Sequence, residues 1–300
     1  SRCIRGISSR LKGEINNLFL NHKWSGNSWF GLGGNAKKFF IPDTDEELIN
    51  YLKDFRSENF ITIGSGSNIL FRDKGCSNTI IKLGNNFRKI EIVKDLIHCG
   101  SGALKSNVSK FALDKEIENM EFLSCIPGTM GGGVIMNAGC FGYEFKDIVK
   151  EVHGVDKGLN KSIIDCKNIV FQYRKTNLPN DFIVTNIVLK ITRGLKENIK
   201  NKIDKFKREK NEAQPSQIKT GGSTFKNPIS KYKAWELIKK SGCDKVKFGN
   251  AKFSERHCNF IENRGSSGKD VEDLINYTID EVKKKFNITL EPEIKIIGDK

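Results

Sequence analysis

Behind the polar run Asp43-Thr44-Asp45-Glu46-Glu47, the apolar residues Leu48, Ile49, Leu52 and Phe55 share one face of a helix, and the acidic residues ahead of them suit its N-terminus. Apolar runs at residues 39–42 and 60–63 flank that helix, which predicts a β-α-β opening, and a run at 79–83 closes a small first part. Residues 11–35 show no clear period and read as a short mixed segment leading into Trp29-Phe30-Gly31-Leu32-Gly33-Gly34. From residue 89 the pattern shortens. Strands are predicted at 89–93, 96–99, 151–155 and 182–190 around an amphipathic helix at 105–113, giving a mixed sheet. Ile199, Ile203 and Phe206 then recur at helical spacing in the polar stretch 195–211, a connecting helix that leads to Gln214-Pro215. In the last stretch a helix at 231–240 is stopped by Gly242, and a strand lies around 259–262. A helix at 269–286 aligns Val271, Leu274, Ile275, Ile279, Val282 and Phe286 on one stripe, and a strand at 293–297, opened by Glu293, closes the chain.

Glycine interrupts these periods in two places. Six of the 28 glycines fall within residues 126–142, where Pro127 fixes a turn ahead of Gly128. A second run, Gly64-Ser65-Gly66-Ser67-Asn68, follows the strand at 60–63. Glycine lets backbone amides approach a ligand without a Cβ in the way, and successive amides favour an anion. Two such loops suggest a diphosphate gripped from two sides, and a pair of tight turns is the plainer alternative. Neither loop ends in the Gly-Lys-Ser/Thr of a P-loop, and no Gly-x-Gly-x-x-Gly opens a helix after the first strand.

With 300 residues and 37% hydrophobic content the chain can bury a core large enough for two or three domains. Its formal charge of +15 invites a polyanion partner, but the lysines are spread along the whole chain, which argues against nucleic-acid binding as the main function. The eight cysteines include no Cys-x-x-Cys pair and no histidine at ligand spacing, so zinc is not expected. They read as reduced thiols of a cytoplasmic protein. No apolar run is long enough to span a membrane, and the first ten residues carry no apolar leader.

Three further stretches could carry chemistry. In Gly221-Gly222-Ser223-Thr224-Phe225-Lys226-Asn227-Pro228 the flanking glycines and Asn-Pro turn could hold the Ser223 hydroxyl out, or the run could be a plain turn; no Gly-x-Ser-x-Gly elbow is present. Arg174, in Phe171-Gln172-Tyr173-Arg174, reads alone as a surface arginine at a loop start, and Glu291 and Glu293 as solvated carboxylates. His257, beside apolar strand residues, is structural or a ligand contact.

Taken in order, Gly-Ser-Gly-Ser-Asn-Ile-Leu at 64–70, Gly-Ser-Gly-Ala-Leu at 100–104 and Ile-Pro-Gly-Thr-Met-Gly-Gly-Gly at 126–133 with Asn137-Ala138-Gly139 resemble the FAD domain of the UDP-N-acetylenolpyruvoylglucosamine reductase (MurB) family. Tyr173-Arg174, Gly-Ser-Thr-Phe-Lys-Asn-Pro at 222–228 and Leu-Glu-Pro-Glu-Ile-Lys-Ile-Ile-Gly at 290–298 continue the resemblance, which spans roughly Trp29 to Gly298. It implies an α+β fold with a two-part, PCMH/VAO-like FAD-binding domain (residues 1–85 and 86–211) and a C-terminal α+β substrate-binding domain (212–300) whose last strand closes the site. It implies non-covalent FAD held by Gly64, Ser65, Gly66, Ser67, Asn68, Ile126, Pro127, Gly128, Thr129, Gly131, Asn137 and Gly139. NADPH would reduce the flavin first, and the enolpyruvyl ether of UDP-N-acetylglucosamine would then be reduced to UDP-N-acetylmuramate for peptidoglycan synthesis, and so for cell shape and division. By the same resemblance Ser223 is the proton donor, Arg174 holds the substrate carboxylate and Glu293 completes the site, with Asn227 and His257 as substrate contacts. The partner is then a small UDP-sugar, with no nucleic acid or membrane, and the protein is a cytoplasmic monomer. The short spacing from Arg174 to Ser223 leaves no room for the long tyrosine-bearing loop of one subclass, so the chain resembles the shorter type II form. Met130, Gly133, Thr176 and Cys243-Asp244-Lys245 depart from the usual pattern, away from the chemical residues. Two other readings predict different behaviour: a sugar or hydroxy-acid oxidase of the same FAD fold would consume oxygen, and a nucleic-acid-binding protein would purify colourless.

Overall fold

The computed structural model describes residues 17–215 and 218–300, and the sheets and helices counted below are those of the described residues. The first ten residues and Cys3, read above for leader and thiol chemistry, lie outside them.

The opening part contains β1 (Leu18–Lys23), β2 (Asn35–Phe40), α1 (Asp45–Asp54), β3 (Phe60–Thr62), β4 (Ile69–Phe71) and β5 (Cys76–Ile81). The sheet runs β1-β2-β5-β3, with β5 parallel to both β2 and β3 and β1 antiparallel to β2. The expected β-α-β unit is therefore present, with β5 inserted between its two strands. Thr44 caps α1 by accepting from the Glu47 N–H, and Glu47 returns a bond to the Asp43 N–H, which satisfies two otherwise unpaired donors. α1 buries Leu48, Tyr51 and Leu52, and the Tyr51 ring stacks on Phe40. Strand β1 occupies the stretch expected to be an irregular segment; its residues alternate between half-buried and exposed, but the sequence, Leu18-Phe19-Leu20 followed by Asn21-His22-Lys23, shows no apolar–polar alternation to mark it.

The central part follows with β6 (Ile90–Val93), β7 (Leu96–Gly100), α2 (Lys105–Asp114), α3 (Met130–Ile135), β8 (Gly139–Cys140), β9 (Tyr143–Glu144), α4 (Phe145–Ile148), β10 (Val149–Val155), β11 (Lys161–Asp165), β12 (Phe171–Gln172), β13 (Lys175–Thr176), β14 (Ile183–Lys190) and α5 (Lys196–Ala213). Its sheet, ordered β11-β10-β14-β7-β6, is antiparallel at every pairing, not mixed as expected. Short turns join β6 to β7 and β10 to β11, and neither leaves room for the crossover that a parallel pair requires. The glycine run at 126–142 is also not one loop. Thr129 accepts from the Gly132 N–H and starts α3 through Met-Gly-Gly-Gly, and Gly133 packs so close to Phe145 and Lys105 that a Cβ there would collide with both. Packing overrides the poor helix propensity of glycine.

The last part holds α6 (Ala234–Ser241), β15 (Lys247–Phe248), β16 (Ala251–Phe253), β17 (Ile261–Glu262), α7 (Gly268–Phe286) and β18 (Lys295–Ile297). Ser267 caps α7 with Asp270 in a reciprocal box, Asn287 ends it in the left-handed region, and Gly242 ends α6 the same way. Glu293 does not open β18, which begins two residues later. Instead its N–H donates to the Thr224 carbonyl. β18 pairs in parallel with β4 of the opening part, and the apolar core under α6 and α7 includes Phe30, Leu32 and Leu70 from that part. Among the described residues no helix is long and apolar enough to cross a membrane.

Candidate active site

A cleft opens between the β1-β2-β5-β3 sheet and the antiparallel central sheet. One wall carries Asn27, Trp29, Gly64 and Ser65; the other carries Ser101, Leu104, Thr129, Gly131 and Gly132. The two predicted glycine loops thus face each other, and near their base a Cβ on Gly128 would lie 2.7 Å from Ser67 Oγ and 3.4 Å from Ser65 Oγ. Gly128 has φ +100°, open to glycine at no steric cost. The floor of the cleft is shaped for a flat or phosphate-bearing group. A Cβ at Gly132 would meet only Thr129 Oγ1, at 3.6 Å, so that helical glycine exposes bare backbone, and among the described residues the buried Ser65 hydroxyl has no partner. Lys82 and Arg88 line the same cleft; burial, reinforced by Arg88, holds the Lys82 ammonium below the usual lysine range. An anionic dinucleotide fits these donors and cations.

Beside the Gly64–Asn68 loop, and tied to it through Asn68, three distant segments meet. Tyr173 and Arg174 form the turn between β12 and β13, with Arg174 in the left-handed region at φ +56°. Arg174 Nε donates to Glu293 Oε1 at 2.9 Å, its Nη2 to the Gly139 carbonyl at 3.1 Å, and its guanidinium lies over the Tyr173 ring. Side-chain exposure is 19% for Arg174 and 16% for Glu293, so the pair is only partly screened by water. Burial pushes the Glu293 carboxyl above its ordinary range, against the opposing pull of Arg174 and Lys226. Asn68 donates to the Glu293 carbonyl at 2.9 Å. The Gly221–Thr224 loop lies alongside: Ser223 bridges to Phe260, Gly222 has φ +80°, and Thr224 pairs with Glu293 through the backbone.

The remaining sequence-predicted residues divide by what they touch. Gly64, Ser65, Thr129 and Gly131 line the cleft. Gly66, at φ +69°, accepts from the Trp29 N–H, and Pro127 and Gly128 shape the turn beneath Thr129. Ile126 packs against the central core. Asn137 is wholly buried; its amide donates to Glu144 and to the Gln172 carbonyl and accepts from the Lys146 N–H, which braces the Arg174 turn. Asn227 accepts from the Ala234 N–H at the start of α6. His257 is not among the residues of the cleft: it lines a separate basic pocket with Lys239, Lys245 and Arg256, accepts from the Asn259 N–H, and is held below the usual histidine range by burial. The reading from sequence missed Asn27, Trp29, Lys82, Arg88 and Gly132. A lone lysine or arginine among 51 carries no positional signal, whereas the density of glycine at 131–133 could have pointed to Gly132.

A two-part nucleotide cleft of this build, with a cation–carboxylate pair tied to its first glycine loop through Asn68, defines the class of FAD-dependent oxidoreductases. Residues 36–158 match the family model described as FAD binding domain, and residues 214–297 match that of the UDP-N-acetylenolpyruvoylglucosamine reductase C-terminal domain. UDP-N-acetylenolpyruvoylglucosamine reductase from Pelagibacter ubique is 41% identical over 299 residues, 98% of each chain, and that from Rickettsia prowazekii is 43% identical over 291 residues, 96% of this chain and 97% of the relative. The crystal structure of the enzyme from Thermus caldophilus superimposes with a TM-score of 0.81 at 29% identity, covering 93% of this chain and 97% of that one. The chain belongs to the UDP-N-acetylenolpyruvoylglucosamine reductase family.

Proposed function

We infer that this chain reduces UDP-N-acetylglucosamine enolpyruvate to UDP-N-acetylmuramate in peptidoglycan precursor synthesis, with FAD and NADPH. Bound FAD supplies the two-electron carrier between NADPH and the substrate. The observation that carries the residue-level reading is the Arg174–Glu293 pair, tied to Asn68 of the first glycine loop and to Thr224 of the Ser223 loop. Addition of a hydride equivalent to the β-carbon of the vinyl ether would leave the former double-bond electron pair on the α-carbon, delocalised into its carboxylate, until a proton is added there. Arg174, already oriented by Gly139 and Glu293, stabilises that carboxylate without reorganising. Ser223 gives its hydroxyl proton to the α-carbon, and Glu293, anchored to Asn68 and Thr224, fixes the distance between Arg174 and the serine loop. Ser65, Thr129 and the Gly131–Gly132 backbone hold the diphosphate. Gly66, Ser67, Asn68, Ile126, Pro127, Gly128, Asn137 and Gly139 support that cleft from behind, and Asn227 and His257 serve the substrate's outer portion.

The parts divide at about residues 85 and 211, with β18 returning to the first. The described residues between Arg174 and Ser223 are taken up mainly by β14 and α5, in keeping with the shorter type II form. We read the protein as a cytoplasmic monomer, which sedimentation of the purified chain would check. The decisive experiment separates the half-reactions. NADPH alone should bleach the yellow protein anaerobically, and the enolpyruvyl substrate should then restore the oxidised spectrum. Bleaching without that recovery would leave a flavin reductase of another specificity.

A further inference from the structure

Lys105, at the start of α2, is 4% exposed, an unusual place for a lysine. Its Nζ donates to the Pro127 carbonyl at 2.8 Å, and its backbone N–H donates to the Gly128 carbonyl at 3.1 Å. One residue therefore draws both carbonyls of the turn to the same side. In a trans peptide the N–H points opposite to the C=O, so the N–H groups of Gly128 and Thr129 are aimed away from Lys105. Thr129 lines the cleft and Ser65 and Ser67 stand against Gly128. The stem of Lys105 takes the space that a side chain at Gly133 would need: a Cβ there would lie 2.6 Å from Cε. We propose that Lys105 is a positioning residue for the flavin diphosphate, setting two N–H donors toward it and placing a buried positive charge behind them. This rests on the FAD reading above.

Such a charge responds to its ligand. Burial holds the Lys105 ammonium down to about 7, so an anion bound across the turn stabilises its protonated form and binding takes up a proton above that pH. Among the described residues the ionisable group bearing on it is the Cys140 thiol, which burial pushes up to about 12 and which has Cys125, Lys210 and Arg174 around it; it stays neutral. Lys82 also lines the cleft with a lowered ammonium, so it needs its own control.

FAD and riboflavin, which lacks the diphosphate, are titrated by fluorescence into the flavin-freed full chain from about pH 6 to about pH 9. Lys105→Met should weaken FAD about tenfold and riboflavin less than about twofold, because only FAD carries the anion. In the parent protein FAD affinity should fall as pH rises above 7 while riboflavin affinity stays level; Lys105→Met should flatten that slope, and Lys82→Met should keep it. Equal losses for both flavins, or an unchanged slope in Lys105→Met, overturns the proposal. Should Lys105→Met fail to fold, Lys82→Met decides alone, since its loss of the slope would assign the proton to Lys82. A parent protein that binds no FAD would instead overturn the reading on which the proposal rests.

Discussion

Ser223 depends on its surroundings for any chemical role. A serine hydroxyl is a weak acid, and its loop is fixed by Gly222 on one side and by the Thr224–Glu293 backbone pair on the other. Ser223→Ala should leave flavin binding and NADPH reduction intact and slow reoxidation by substrate by about 10² to 10⁴. Ser223→Cys should recover part of the loss. Rapid mixing of pre-reduced protein with substrate measures this, and a wild-type reoxidation rate in the alanine variant would return the serine to a turn residue. Glu293 offers a second test. Its raised carboxyl means that the fold favours the protonated form, so its contribution is full below the ordinary carboxylate range and is lost as pH rises through the folded value. Glu293→Gln, which fixes an uncharged form, should therefore melt no lower than the parent at neutral pH and converge with it in acid, while losing activity. A lower melting temperature at neutral pH would show that the Arg174 pair outweighs burial.

At the scale of the element, α3 and the loop after β3 use glycine for different reasons. Gly66 has a positive φ, and a Cβ there would lie 2.3 Å from the Asn27 carbonyl oxygen, so Gly66→Val should distort the loop itself. Gly132 is helical and open to the cleft. Gly132→Val should keep the circular dichroism of the parent, at a propensity penalty no larger than glycine's own, yet purify without yellow colour, because its side chain fills the space above the α3 backbone. Retention of full flavin content by Gly132→Val would place the diphosphate elsewhere.

The whole molecule is joined by long-range pairings more than by its linkers. Arg72, just past β4, makes a two-pronged bond to Glu272 of α7 at 2.8 and 2.9 Å and a third bond to the Gly298 carbonyl. Neither partner of the ion pair is more than 23% exposed. Arg72→Ala should lower stability by about 1 to 3 kcal/mol and separate unfolding of the last part from that of the first, with flavin content retained. Urea titration followed by tryptophan and by flavin fluorescence checks it; a single unchanged midpoint would mean that β18 and the shared core hold the parts without this bond.

The sequence by itself determined the local features: the capped helix α1, the apolar stripe of α7, the stop of α6 at Gly242, the two glycine turns, and the motifs that resemble the reductase family. Each depends on residues close together in the chain, where helical period, cap chemistry and glycine's freedom act directly. Only the tertiary structure decided that the central sheet is antiparallel throughout, that Met-Gly-Gly-Gly is a helix, and that β18 leaves its own part to pair with β4. The same holds for the site. Arg174, Ser223 and Glu293 read singly as a surface arginine, a turn and a solvated acid. Their meeting, with Asn137 bracing the arginine's turn and Lys105 buried under Pro127, depends on contacts between residues far apart in sequence, and no local period encodes them.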